Sequence, residues 1–172
     1  HFVNTGKLPS PAEYISKAPE LAQARVRNNI IRDIVKTEET YIQGLTTLVN
    51  VFLTPLRTNK KKLLSEKDVK IMFSNAEQIL SINKELFSAL QMAMNSWPRS
   101  KIGEVFKKMA PYLKVYTTYI NNFDLAANTV LNCEARNSKF AAWSAVSDSR
   151  MSFLPVYFSS AQLSPDRHAV FL

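Results

Sequence analysis

The sequence predicts an all-α fold, an elongated bundle of helices, and three observations support this prediction. Several long stretches place apolar residues at intervals of three and four, which is the spacing of one face of an α-helix. The chain of 172 residues contains only three glycines, too few for the many tight turns of an all-β protein. One amphipathic stretch, from Pro19 to about Thr54 or Leu56, would form a helix on the order of 50 Å long. A compact bundle of this size does not need so long a helix, and we therefore expect an elongated shape.

Composition and charge argue against several functional classes. The net charge of +8 is spread along the chain without a stripe of basic and aromatic residues, so we expect no nucleic-acid partner. The lone Cys133 excludes an internal disulfide and a multi-cysteine zinc site, and we expect it to be a small core residue. His1 and His168 lie near opposite ends, and we identify no catalytic, cofactor-binding or metal-ligating residue. No apolar run is long enough to span a membrane and no apolar signal core is present, so we expect a cytoplasmic protein.

The N-terminal part of the chain contains a helix start that is followed by a proline. Ser10 suits the N-cap, Pro11 the first helical position and Glu13 the third. The helix that they open is predicted to be short, because Pro19 follows and is predicted to begin the next helix. We therefore divide the chain into a flexible N-terminal segment with a short helix over residues 1–18, a helical domain over residues 19–146 and an irregular apolar tail over residues 147–172.

The long helix carries a carboxylate in the middle of its apolar face. At about 100° per residue, the side chains within roughly 60° of Glu38 are apolar or aromatic: Ile31, Ile34, Val35, Tyr41, Ile42, Leu45 and Val49. The opposite face is polar and carries Arg32, Asp33, Lys36, Thr40, Gln43, Thr47 and Asn50. Burying a carboxylate without a partner is costly. Either another part of the chain supplies a cation or a hydrogen-bond donor to Glu38, or a partner protein does.

A basic loop precedes the second helical segment. It contains Lys60, Lys61 and Lys62, which we interpret as solvated, with weak contact to an anionic membrane as the alternative. Ser65 and Asp68 form a capping pattern for a helix from about Glu66 to Met94. The apolar stripe of this helix is typical of a core face: Val69, Met72, Phe73, Ala76, Ile79, Leu80, Asn83, Leu86, Phe87, Leu90 and Met94.

A third apolar-periodic segment begins near Lys101 and extends to Val130. Pro111 lies within it and is predicted to kink or divide the helix. Its tyrosines and Phe123 fit a rim or core role. A short helix is predicted around Asn137 to Val146 with Phe140 and Trp143, and after residue 147 the sequence loses any sustained period.

Three stretches in order resemble the Dbl-homology domain, the exchange domain of Rho-family guanine-nucleotide exchange factors. The first contains Thr-Glu-x-x-Tyr with a leucine four residues on, here Thr37, Glu38, Tyr41 and Leu45. The second, LLSEKDVKIMFSNAEQIL, has the Leu-Ser opening and Phe-x-Asn of the following helix. The third, IGEVFKKMAPYLKVYTTYINN, has Ile-Gly-x-x-Phe, Ala-Pro and Tyr-x-x-Tyr-x-x-Asn. The resemblance covers about residues 24–143.

This resemblance implies an elongated helical bundle that binds a Rho-family small GTPase without covalent chemistry or a cofactor. It implies that Glu38 contacts switch I of the GTPase. Thr37, Val35, Glu39 and Ile42 are its neighbours on that predicted contact surface. The alternative is that Glu38 pairs internally with a basic side chain.

The sequence departs from the family after Trp143, where a third characteristic region with a switch II contact is expected. The pattern begins at Ser152-Phe153-Leu154 and then fails, and neither the last helices of the fold nor a pleckstrin-homology domain follows before Leu172. We therefore expect a truncated domain with weak or no exchange activity. The alternative function is a non-catalytic helical interaction or decoy module that binds a GTPase or another partner without promoting exchange.

Overall fold

The computed structural model describes residues 11–58, 63–95 and 101–146, and every regular element within these ranges is helical. In chain order the elements are α1 Pro11–Thr47, a π-helical segment Leu48–Leu53, α2 Thr54–Thr58, α3 Glu66–Phe73, α4 Ala76–Asn95, α5 Ile102–Met109, a 3₁₀ segment Ala110–Lys114, α6 Val115–Asn121, α7 Phe123–Arg136 and α8 Ser138–Val146. The predicted all-α fold is confirmed. The predicted lysine loop at residues 60–62, the capping Ser10 and the tail over residues 147–172 lie outside the described residues.

The predicted break at Pro19 is wrong, because α1 is continuous from Pro11 to Thr47. Residues 11–18 therefore belong to the same helix as the rest of α1, and not to a separate short helix. Proline has a helical φ and removes one hydrogen bond, the one to the carbonyl of residue 15. The helical bonds on either side of Pro19 carry the helix across this gap.

The helical path also continues beyond the predicted stop at Pro55, to Thr58. It does so through the wider turns of the π-helical segment, in which the backbone N–H of Thr54 donates to the carbonyl of Val49. The Thr54 hydroxyl donates to the same carbonyl at 2.9 Å. Wider turns before Pro55 accommodate a residue that cannot donate a helical hydrogen bond of its own.

The helix predicted from Glu66 to Met94 is in fact two helices, α3 and α4. They meet at Ser74, whose φ of 46° ends α3 in a conformation that residues other than glycine rarely adopt. The side-chain amide of Asn75 donates to the carbonyl of Val115 at 2.9 Å, and that of Asn122 donates to the carbonyl of Ile71 at 2.6 Å. These bonds from another part of the chain offset the interruption of the helix.

Two predicted helix boundaries are confirmed by side-chain caps. The Ser65 hydroxyl accepts from the backbone N–H of Asp68 at 3.1 Å at the start of α3. The Asn137 side-chain oxygen accepts from the backbone N–H of Phe140 at 3.1 Å at the start of α8. Pro111 lies in the 3₁₀ segment and divides α5 from α6, as predicted.

The buried apolar side chains form two separate clusters. The small cluster joins α1, α4 and α5 through Ile31, Val35, Leu86, Leu90 and Met109. The large cluster joins the end of α1 and the start of α4 to the π-helical segment, α2, α3, α6, α7 and α8 through Leu45, Leu48, Val49, Phe52, Leu53, Leu56, Leu64, Val69, Met72, Phe73, Ala76, Ile79, Leu80, Tyr119, Ala126, Cys133 and Phe140. In the small cluster, Val35 of α1 packs with Leu90 near the end of α4. In the large cluster, Leu45 near the end of α1 packs with Ala76 at the start of α4. The two helices therefore run antiparallel.

Candidate functional site

Glu38 lies on the inner face of α1, as its position in the apolar arc predicts. Its side chain is 8% exposed, and all seven arc residues are buried or half-buried. The seven residues predicted on the opposite face are all exposed. Three of the arc residues are half-buried and lie within one helical turn of Glu38: Ile34, Tyr41 and Ile42. We call these three side chains the apolar border of Glu38.

The other residues of the predicted contact surface do not form one exposed patch. Val35 is buried in the small cluster, and Ile42 is half-buried against the large cluster. Thr37 and Glu39 are exposed on the two flanks of α1, and the Thr37 hydroxyl donates to the carbonyl of Asp33 at 2.7 Å. Of the five residues predicted to contact the GTPase, Glu38 and Val35 are therefore buried and Ile42 is half-buried. Thr37 and Glu39 are exposed on the flanks of α1.

Glu38 falls in the gap between the two apolar clusters. On α1, Val35 belongs to the small cluster and Leu45 to the large one. On α4, Leu86 belongs to the small cluster and Leu80 to the large one. Asn83 lies between these two α4 residues and is only 2% exposed.

Asn83 connects α4 to α6 at this level. Its side-chain nitrogen donates to the carbonyl of Ile79 at 2.7 Å and to the hydroxyl oxygen of Tyr116 at 2.6 Å. Burial raises the pKa of the nearby Tyr119 hydroxyl, and the neighbouring Tyr116 raises it further. Tyr119 is therefore a neutral phenol at physiological pH. We name Glu38, Asn83 and Tyr116 the polar layer.

The sequence prediction missed the role of Asn83, which it assigned to an apolar stripe. An amide at a core position of a helix is itself a signal, since buried polar side chains need hydrogen-bond partners. Tyr116 was predicted to lie at the rim or in the core, and it is half-buried. Cys133 is fully buried in the large cluster, as predicted.

Two charged pairs lie on the surface of the bundle. Arg57 and Glu77 form two hydrogen bonds of 2.9 Å each, and Arg136 pairs with Asp68 at 2.5 Å. Because both arginines and Glu77 are largely exposed, these pairs stabilise the bundle little. Within the described ranges, no three His, Cys, Asp or Glu side chains are placed to hold a metal ion, and no helix is long and apolar enough to cross a membrane.

An apolar groove lies between the first half of α1 and the start of α5. Its lining includes the exposed Val26 and Ile30 on α1 and the half-buried Ile102 on α5, and its volume is about 950 Å³. Arg27, Lys101 and Glu104 also line it. The groove shows that the apolar face of α1 extends beyond the part that the bundle covers.

Comparison with known proteins gives a match to one family model and several similar proteins. A family model described as the RhoGEF domain matches residues 30–160. The myosin-M heavy chain of Dictyostelium discoideum is 33% identical over 140 residues, which are 81% of this chain and 8% of that protein. Ras-specific guanine nucleotide-releasing factor 2 of Danio rerio is 30% identical over 120 residues, which are 68% of this chain and 10% of the relative. FYVE, RhoGEF and PH domain-containing protein 2 of Mus musculus is 31% identical over 130 residues, 73% and 20% of the two chains. The chain therefore spans a fifth or less of the length of these relatives.

Proposed function

Because the chain belongs to the RhoGEF domain family, we propose that its helical domain is a guanine-nucleotide exchange factor domain for a Rho-family small GTPase. The match of the family model over residues 30–160 is the observation that carries this proposal. Two of the relatives support it by name, one as a guanine nucleotide-releasing factor and one as a RhoGEF protein. The first of these is named Ras-specific, so the GTPase preference needs its own test.

Nucleotide exchange breaks no covalent bond. An exchange factor binds the nucleotide-free GTPase more tightly than the nucleotide-bound form, and this difference in affinity promotes nucleotide release. The helical domain would therefore act through surfaces and charges and needs no nucleophile. By its resemblance to the Dbl-homology domain, the surface that contacts switch I is centred on Glu38.

The surroundings of Glu38 support such a contact. A carboxylate bordered by Ile34, Tyr41 and Ile42 is poorly solvated, so a hydrogen bond that it accepts from a partner is stronger than one made in water. The apolar border offers area that a partner can cover. Thr37 and Glu39 on the flanks of α1 would lie at the edge of this contact.

The proposal is tested by fluorescent-nucleotide release from a panel of Rho-family and Ras-family GTPases. We expect the wild-type chain to bind the nucleotide-free form of a Rho-family member at micromolar concentration. Glu38→Ala is expected to weaken this binding about tenfold to a hundredfold, the value of one hydrogen bond to a charged group. Glu38→Gln, which keeps the size and removes the charge, is expected to do the same.

A matched control is Glu85→Ala, which removes an exposed carboxylate from α4 and is expected to leave binding unchanged. Urea unfolding of each variant shows whether the protein is folded. A loss of several kcal/mol in Glu38→Ala would instead support an internal ion pair. If no GTPase of the panel binds the chain, and none releases its nucleotide faster when the chain is present, the proposed function is wrong.

The alternative function is a module that binds a GTPase without promoting exchange. It is favoured by the sequence after Leu154, which does not continue the pattern of the third characteristic region. Binding of nucleotide-free GTPase without faster nucleotide release would support this alternative. Faster release by the wild-type chain would exclude it.

A further inference from the structure

The two apolar clusters are separated by buried polar side chains, and the proposed exchange role does not explain this arrangement. Among the described residues, the buried polar or charged side chains are Glu38, Asn83 and Ser144. Two of the three lie in the gap between the clusters. Ser144 belongs to a different place, where its hydroxyl donates to the Glu134 carboxylate at 2.8 Å.

Glu38 and Asn83 occupy corresponding positions along α1 and α4. Glu38 comes three residues after Val35 along α1, and Asn83 comes three residues before Leu86 along α4. Val35 and Leu86 both belong to the small cluster. Because α1 and α4 are antiparallel, equal steps from this cluster lead both side chains into the same gap.

Asn83 has its hydrogen-bond donors committed to α4 and α6. The side-chain nitrogen donates hydrogen bonds to the carbonyl of Ile79 and to the hydroxyl oxygen of Tyr116, and these two bonds fix the orientation of the amide. Tyr116 accepts this bond and keeps its own proton to donate. Tyr116 packs against the large cluster, so its bond to Asn83 brings a phenol from α6 to the edge of the gap.

A polar layer inside an apolar bundle costs stability but selects one register. Apolar side chains tolerate a slide of one helix along another, whereas buried hydrogen-bonding groups lose their partners when the register changes. A slip of one residue would turn Glu38 by about 100° and move it by about 1.5 Å along α1. A fixed register would therefore fix the direction and height at which Glu38 faces the GTPase.

We propose that Asn83 and Tyr116 are positioning residues for Glu38, which fix the rotation and height of its carboxylate in α1 by joining α1, α4 and α6 in one polar layer. This inference rests on the proposed exchange function, because the GTPase is the partner for which Glu38 is held. Neither residue needs to touch the GTPase.

The test uses variants that remove one polar group and keep the volume. Tyr116→Phe removes the hydroxyl, and Asn83→Leu replaces the amide by an apolar group of similar size. The matched control is Tyr112→Phe, which removes a hydroxyl from an exposed tyrosine in the adjoining 3₁₀ segment. Each is made in the wild-type and in the Glu38→Ala background, and urea unfolding is measured for all of them.

The first measurement is the affinity for nucleotide-free GTPase, well below the unfolding temperature. Tyr116→Phe and Asn83→Leu are expected to weaken binding about tenfold in the wild-type background, under conditions in which urea unfolding shows each variant to be folded. In the Glu38→Ala background they are expected to have no further effect, because they act through Glu38. Equal losses in both backgrounds would overturn the proposal, since they indicate a general structural effect.

The second measurement does not require a GTPase. The carboxyl carbon resonance of Glu38, assigned by its disappearance in Glu38→Gln, is compared by NMR among the variants. We expect it to move in Tyr116→Phe and Asn83→Leu and to stay in place in Tyr112→Phe. If it moves no more than in the control, Asn83 and Tyr116 do not position Glu38 and the inference is wrong. Failure of the wild-type chain to bind any GTPase would refute the proposed function, and this resonance would still decide whether the layer holds the carboxylate.

Discussion

Asn137 joins α8 to the chain segment that precedes α3. Its side-chain oxygen accepts from the backbone N–H groups of Lys139 and Phe140, both at 3.1 Å, and so caps α8. Its side-chain nitrogen donates to the carbonyl of Leu63 at 2.6 Å, 74 residues away in sequence. One side chain thus makes a local and a long-range bond, and two substitutions can separate them.

The two bonds predict different losses for two variants. Asn137→Ala removes both, and Asn137→Ser keeps a capping hydroxyl but is too short to reach Leu63. Loss of an N-cap costs about 1 kcal/mol, and loss of a hydrogen bond to a half-buried carbonyl costs about 1 kcal/mol more. We therefore expect losses in the free energy of unfolding of about 2 kcal/mol for Asn137→Ala and about 1 kcal/mol for Asn137→Ser. In a chain of this size, the larger loss corresponds to a Tm lowered by roughly 4–8 °C.

Urea unfolding followed by far-UV circular dichroism measures both losses. Asn128→Ala, at an exposed position of α7, is the control and is expected to stay within about 0.5 kcal/mol of the wild type. If Asn137→Ser is as costly as Asn137→Ala, the cap contributes nothing. If both variants behave like the control, the long-range bond contributes nothing either, and the reasoning from these contacts is refuted.

Three further predictions concern backbone strain, pH and thiol reactivity. Ser74→Gly is expected to raise the free energy of unfolding by about 1 kcal/mol, because φ at this position is 46°, and an unchanged or lower urea midpoint would contradict it. The hydrogen bond from Arg57 lowers the pKa of Glu77, so the pair stabilises the folded state above the ordinary glutamate pKa and is lost as the pH falls through the lowered value. Wild type and Glu77→Gln should therefore differ by no more than about 0.5 kcal/mol at neutral pH. The difference should vanish in urea titrations once the pH is below the lowered pKa of Glu77, and a difference that grows in acid would be the wrong sign. Burial raises the pKa of the Cys133 thiol, so labelling by a thiol reagent is expected to be slow in the folded protein and fast in urea, and rapid labelling of the folded chain would contradict the burial of this residue.

The periodic parts of the fold were predictable from sequence because burial and helical spacing repeat together. The apolar arc around Glu38 is buried and the opposite face of α1 is exposed, as about 100° per residue requires. The cap at Ser65 and the division at Pro111 follow from local chemistry that each residue carries by itself. Local chemistry of this kind does not depend on distant parts of the chain.

The interruptions that the sequence did not reveal depend on distant contacts or on cooperativity. The break at Ser74 lies inside a continuous apolar stripe, and its stabilising bonds connect Asn75 with Val115 and Asn122 with Ile71. The helix through Pro19 shows the reverse case, in which a local breaker does not end a long helix. The burial of Glu38 was predictable from the sequence. The proposed layer with Asn83 and Tyr116 was not, because these two residues come from other helices.

The separation of the large and the small cluster also bears on how the domain opens. The small cluster relies on five buried side chains, and it is the one that α5 joins. Stability in a protein is distributed among cooperative units, and a unit with few buried contacts opens at a lower free energy than the whole. Thermal fluctuations should therefore release α5 and the adjoining part of α1 while α3, α7 and α8 stay packed. The face of α1 just before Glu38 then belongs to the more mobile unit, and the polar layer marks the boundary at which this local opening stops.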